Sequence, residues 1–186
     1  MISMKAERKK SKVKKIVCFI LAGAAVFFAV EWSFIGWRYN FGPLKFLGEI
    51  RLQGMPGNGA SYDFSHIEPM ENSPLEGKNV LFLGSSVTNG AAALHQSIPE
   101  YFSARMGCIA IKEAVDGTTL CDNGKSSYIQ RMLNNVDQNQ EIQLVVCQLS
   151  TNDASKGMPL GEFGEDTSTI TGAIEYIIKY VKETWN

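Results

Sequence analysis

The sequence predicts an α/β fold with a parallel sheet, preceded by one N-terminal membrane-spanning helix. Three observations point there. Apolar runs at Val80–Leu83, Cys108–Val115 and Ile142–Leu149 each end in a small polar cluster: Gly84-Ser85-Ser86, Asp116-Gly117-Thr118 and Thr151-Asn152-Asp153. Amphipathic segments with helical spacing follow each run, so the order is strand, helix, strand, helix, strand, helix. That is the logic of βαβ units, with parallel strands and right-handed crossovers, and it brings the three clusters to one sheet edge. The third observation is Ile16–Trp37, 22 residues with a single charge, Glu31.

The N-terminal run is long enough to cross a bilayer core, since a helix of that length reaches about 33 Å. Its small residues, Ala22 to Ala25, lie inside the run and not after it. An uncleaved signal anchor therefore fits better than a cleaved signal peptide, whose small-x-small site follows its apolar core. Trp32, Trp37 and Tyr39 suit the far interface. Residues 1–15 carry seven basic residues against Glu7. By the positive-inside rule this head is cytoplasmic, and the chain is single-pass with its domain on the outer face.

Composition narrows the function classes. The chain has 186 residues, 45% hydrophobic and 20% charged, with a net charge of −1. Without residues 1–15 the balance is −7. A globular part of that charge has no general attraction for nucleic acid, and no nucleic-acid partner is expected. Cys18, Cys108, Cys121 and Cys147 have no CxxC spacing, and only His66 and His95 could join them, so no metal and no cofactor are expected. The cysteines read as buried or half-buried free thiols. A Cys108–Cys121 disulfide is compatible with an extracellular domain.

Residues 38–77 are rich in Gly and Pro and read as a juxtamembrane linker with a short helix around Leu44–Leu52. The globular part is placed at 78–186. After the first strand, Thr88–Gln96 reads as a Gly/Ala-rich loop or weak helix. Ser97-Ile98-Pro99-Glu100 signals a helix start and Gly107 its stop. Ser126 or Ser127 opens the second helix, with Tyr128, Ile129, Met132, Leu133 and Val136 on one side. The last helix starts near Thr167 or Ser168, and Ile170, Ala173, Ile174, Ile177, Ile178 and Val181 mark its buried face.

The three strand-end clusters together resemble the SGNH (GDSL-type) hydrolase family, over roughly residues 78–184. Leu83-Gly84-Ser85-Ser86-Val87-Thr88 is similar to the block that carries the family's nucleophile, which falls on Ser86. Val115-Asp116-Gly117-Thr118 is similar to the second block and places an oxyanion-hole backbone N–H on Gly117. Ser150-Thr151-Asn152-Asp153 is similar to the third, usually Gly-x-Asn-Asp, and places an oxyanion-hole amide on Asn152. The N–H of Ser86 completes the hole. The chain departs from the pattern at Ser85, where the family has Asp, and at Ser150, where it has Gly. The resemblance implies a flavodoxin-like three-layer α/β/α fold, of which the first three β/α units are here.

The implied activity is ester hydrolysis by acyl transfer. A serine hydroxyl needs an adjacent base, which the family takes from an Asp-x-x-His block, and this sequence contains none. The expectation is a truncated product of a longer hydrolase, nearly inactive by itself. The implied substrate is a small ester or an acylated glycan, the glycan resting on family and location. The alternative is a non-catalytic binding or interaction remnant of the same fold. A phosphate cradle at Gly84–Gly90 lacks both a P-loop lysine and dinucleotide glycine spacing. His95 and His66 read as surface residues and Asp153 as an acceptor of local backbone hydrogen bonds. Oligomeric state is not legible from sequence.

Overall fold

A computed structural model describes residues 2–59, 62–124, 126–164 and 166–185, with side chains from Lys12 onward. The basic side chains of Lys5, Arg8, Lys9 and Lys10 fall outside that description. The chain divides into two compact units, one ending at Gly54 and one beginning at Met55. The division falls inside the stretch read as a linker, so its two halves belong to different units.

The first unit contains helix α1 (Ile2–Tyr39) and helix α2 (Phe46–Gln53). The segment Lys12–Tyr39 is long and apolar enough to cross a membrane, with a mean hydropathy of 2.2 in its most apolar window and none of that window buried. Phe19, Ile20, Phe27 and Phe28 all stand exposed on it. The run is therefore not packed as a core helix among the described residues. Helix α2 turns back on the end of α1, where the Arg51 guanidinium donates to the Trp37 carbonyl at 2.8 Å.

The second unit is α/β. Its sheet contains β1 (Asn79–Gly84), β2 (Ile109–Ala114) and β3 (Leu144–Cys147) in the order β2-β1-β3, all parallel. Leu81 pairs with Ile111 on one side and Val145 on the other. The first strand is therefore central, which its unbroken run of buried residues explains. β3 is an edge strand, shorter than the apolar run Ile142–Leu149 that predicts it.

Side chains alternate across β1 and build two cores. Leu81 and Leu83 pack with Tyr128, Ile129 and Met132 of α5 (Tyr128–Asn135) and with Ala173 and Ile177 of α7 (Ile170–Thr184). Val80 and Phe82 pack with Phe102 and Met106 of α4 (Ile98–Met106). The helices thus cover both faces of the sheet. Phe82 and Phe102 meet edge to face with centroids 5.6 Å apart.

Most helix signals in the sequence act as read. The Glu100 carboxylate accepts the Ser97 N–H at 2.8 Å at the start of α4, and Gly107 ends it at φ +69°. The Ser97 hydroxyl, however, donates to the Thr88 carbonyl and ties the preceding turn to the helix. The Ser127 hydroxyl caps α5 by accepting the Gln130 N–H. Helix α7 starts at Thr169, whose hydroxyl accepts the Gly172 N–H, two residues later than Thr167. Its buried face holds except at Ile178, which is 50% exposed. Two short helices follow the strands directly, α3 (Ser86–Asn89) and α6 (Thr151–Ser155), the second within a stretch read as a polar strand end. All four cysteines are free thiols.

Candidate active site

The parallel sheet brings the three clusters to one edge, and hydrogen bonds tie the second to the third directly and to the short helix that follows the first. From that helix, the Asn89 amide donates to the Asp116 carboxylate at 2.8 Å, and the Thr88 hydroxyl donates to the side-chain amide oxygen of Gln148, near the end of β3, at 2.8 Å. Between the second and third, the Asn152 Nδ2 and the Ser150 Oγ both donate to the Thr118 carbonyl, at 2.8 and 3.0 Å.

Ser86 is the first residue of α3, straight after β1, and half-buried. The turn leaves no room for a side chain at Gly84. A Cβ there would lie 2.0 Å from the Thr88 hydroxyl oxygen, so only glycine lets the chain fold back this tightly. Gly117 sits exposed at φ +72°, with open space where a Cβ would point. Left-handed backbone there turns the loop after β2 back over the sheet edge.

Asp153 is buried, 2% exposed, and its two carboxylate oxygens accept the N–H groups of Leu120 and Cys121, both at 2.9 Å. It accepts backbone hydrogen bonds, but not the local ones expected: its partners lie on the loop after β2, brought to it by the sheet. That carboxylate also stands beside the Cys121 thiol, which burial first and Asp153 second push up to about 12. The Cys147 thiol is pushed up to about 11 by burial, with the nearby Arg131 charge opposing.

Arg131 escapes the sequence pattern. It lies on the buried face of α5 and is only 4% exposed. Its guanidinium donates to the Gly84 carbonyl at 2.8 Å and the Ser126 carbonyl at 3.0 Å, and reaches the Thr118 hydroxyl at 3.4 Å. Glu113 pairs with it at 3.7 Å, and the Tyr128 ring lies 5.2 Å beneath it. Burial pulls its pKa down and the Glu113 carboxylate opposes this. One buried cation therefore ties the end of β1 to the loop that carries Gly117. The signal in sequence is slight: a lone arginine between Ile129 and Met132 on an otherwise apolar face. The buried Tyr128 phenol is pushed upward by burial, with the Ser85 and Ser150 hydroxyls nearby opposing, although no partner meets its oxygen in hydrogen-bond geometry.

The second missed feature is a cleft of about 1210 Å³ onto which Ser86 opens. One wall is the turn after β1 with helix α4. The other is the segment after Met55, two short 3₁₀ turns at Pro56–Asn58 and Phe64–His66. That segment does not pack loosely. The Asn58 amide donates to the Ala92 carbonyl, the Met70 N–H to the Arg105 carbonyl at 2.7 Å, and Phe64 meets Tyr101 edge to face at 6.1 Å. Neither histidine reaches the serine. His95 is exposed on the turn Gly90–Gln96, its carbonyl accepting the Lys112 ammonium at 2.8 Å, and His66 is exposed at the end of its 3₁₀ turn.

No family model matches the chain, and no curated protein does. Among solved structures, one crystal structure is similar at a TM-score of 0.47 and 23% identity, over 59% of this chain. The chain spans about half the length of that solved chain, at 53%. A similarity of that size says nothing about activity.

Proposed function

We propose that the second unit is a serine ester hydrolase of SGNH type, with Ser86 as nucleophile. The observation that supports the reading is that three separate strand ends lie at one edge of the parallel sheet, with Ser86 directly after one of them. Asn152, Thr118 and Asp116 are hydrogen-bonded into a single edge with the turn that presents Ser86. The backbone N–H groups of Ser86 and Gly117 and the Asn152 amide are assigned to the oxyanion. The Asn152 nitrogen carries two N–H bonds. One is held by the Thr118 carbonyl, which fixes the amide plane, and the other is assigned to the substrate oxygen. Losing one such donor typically costs about 10²–10³ in rate.

The chemistry is acyl transfer. The Ser86 oxygen attacks the ester carbon, the carbonyl oxygen takes the charge, and the alcohol leaves as the acyl-serine forms. Among the described residues the turn has no imidazole hydrogen-bonded to Ser86, so the Ser86 proton needs a base that is not seen beside it. In the family resemblance that base is an Asp-x-x-His block. We assign the apolar helix to a single membrane crossing, with the basic head cytoplasmic and the hydrolase unit outside.

A test that does not depend on the base is capture of a boronic acid. A serine beside a formed oxyanion hole converts trigonal boron to a tetrahedral adduct, a mimic of the acyl-transfer intermediate. The full chain in nanodiscs is expected to give a tetrahedral methylboronate signal by boron NMR. Ser86→Ala is expected to remove it and Asn152→Ala to weaken it. An unchanged signal in Ser86→Ala sinks the nucleophile assignment, and trigonal boron in the wild type sinks the formed hole.

A further inference from the structure

We infer that the cleft beside Ser86 receives the acyl chain of the ester, and that this chain is apolar and longer than acetyl. The inference rests on Ser86 as nucleophile. Its own support is the make-up of the cleft. Val87, Ala91, Ala93, Ile98 and Phe102 line it. Four of the polar side chains that line it are already engaged within the protein, and two others, Tyr62 and Gln96, are exposed to solvent. Asn58 donates to the Ala92 carbonyl. Asp63 accepts the Ser65 N–H and hydroxyl. Arg105 donates to the Glu68 carbonyl and Ser97 to the Thr88 carbonyl.

A sugar needs converging donors and acceptors that are not engaged in this way, because each buried hydroxyl left unmatched carries a desolvation penalty. An alkyl chain needs none. The volume, about 1210 Å³, also exceeds the ~300–1,000 Å³ usual for drug-sized ligands, and an acetyl group would leave it almost empty. The two sides of the serine are thus unlike. Asn152 and the Gly117 loop, which do not line the cleft, are assigned to the oxyanion and a polar alcohol, and the cleft to the acyl chain.

The second wall is what this chain adds. Gly57 and Tyr62, from the segment that precedes the first strand, face Ala91 to Ala93 across the cleft. The segment between the helical unit and the sheet therefore helps set acyl-chain selectivity as well as spanning the distance between them.

Alkylboronic acids test this, because the alkyl group on boron occupies the place of the acyl chain. Methyl-, butyl- and hexylboronic acids are titrated against the full chain in nanodiscs, with Ser86→Ala as the background for partition into lipid. Each fully buried methylene strengthens binding by about four-fold at most. Hexylboronate is expected to bind about ten-fold or more tighter than methylboronate. Ala93→Phe, which fills the cleft, is expected to flatten the series. Ile98→Asp does the same by placing a carboxylate in the cleft. An acid is favourable in the first turn of α4, so that variant keeps its fold, as circular dichroism checks. Ser86-dependent binding with no gain along the series overturns the acyl cleft and leaves the hydrolase reading standing. A length series that survives both variants overturns the assigned location. Absence of any Ser86-dependent adduct overturns both readings together.

Discussion

The two faces of β1 are built on different principles. Val80 and Phe82 enter a core with Phe102, Met106 and Cys108, where the charges are the half-buried pair Lys112 and Glu100 at its margin. Leu81 and Leu83 enter a core that ends, toward the C-terminal edge, in Arg131, Tyr128 and Asp153. An apolar core holds a helix against a sheet but does not fix the direction of a loop. Hydrogen bonds from a buried guanidinium and a buried carboxylate do, because each partner lost leaves a group unsatisfied. The polar face therefore pins the loops that carry Gly117 and Asn152, and the apolar face leaves room for the cleft.

That contrast is broken most directly at Arg131. Arg131→Ala leaves Glu113 without its cation and the Gly84 carbonyl without its donor, and is expected to cost about 3–5 kcal/mol in denaturant titrations. Phe82→Ala empties the other face for a similar cost of about 3–5 kcal/mol. The two are separated by methylboronate capture under conditions where both remain folded. Arg131→Ala is expected to weaken it, and Phe82→Ala to leave it near wild type. Equal loss in both would erase the distinction between the faces.

Asp153→Asn replaces one accepting oxygen by a donor opposite a backbone N–H, and is expected to cost about 2–3 kcal/mol. Hydrogen exchange should rise at Leu120 and Cys121. Unchanged protection there would mean the loop is held by other contacts.

The buried thiols give a pH signature. Cys147 keeps its proton to about pH 11 when folded, against about 9 for an ordinary thiol. The folded state then holds more protons than the unfolded chain between those values. Its stability contribution is full below about pH 9 and is lost as pH rises toward 11. Urea midpoints of the wild type and Cys147→Val should run parallel below that window and converge within it. Parallel curves throughout would place the thiol in contact with water.

The smallest effect is expected on α7. Ile178→Ala should stay within about 0.5 kcal/mol, whereas Ile177→Ala, one residue earlier, should cost about 2–5 kcal/mol. Thermal melts of the pair measure how sharply the buried stripe ends.

These contrasts also explain what the sequence discloses. Strands and helices are legible because apolar spacing reports burial, and Ser97, Gly107 and Ser127 mark ends by local chemistry. The convergence of Ser86, Gly117 and Asn152 on one edge follows from parallel order alone. Arg131 is not legible, because its partners on Gly84 and Thr118 are brought to it only by the tertiary fold. Asp153 is expected to bond local backbone, yet the sheet gives it Leu120 and Cys121, more than thirty residues earlier. The segment after Met55 resembles a linker because 3₁₀ turns have no periodicity to detect, and its packing comes from single contacts such as Phe64 on Tyr101. Ile178 fits a helical stripe in one dimension and falls beyond the part that the sheet covers.

The position of β1 has a consequence during synthesis. The middle strand of the sheet is the first of the three to leave the ribosome. When β2 emerges, its neighbour is already present, and when β3 emerges, it adds to the opposite side of the same strand. Neither β2 nor β3 waits for a later strand to supply a partner. The exposed interval is confined to one side of β1, which stays open from the arrival of β2 until residues Leu144–Cys147 are translated, and a chaperone guarding this chain would have that side to cover.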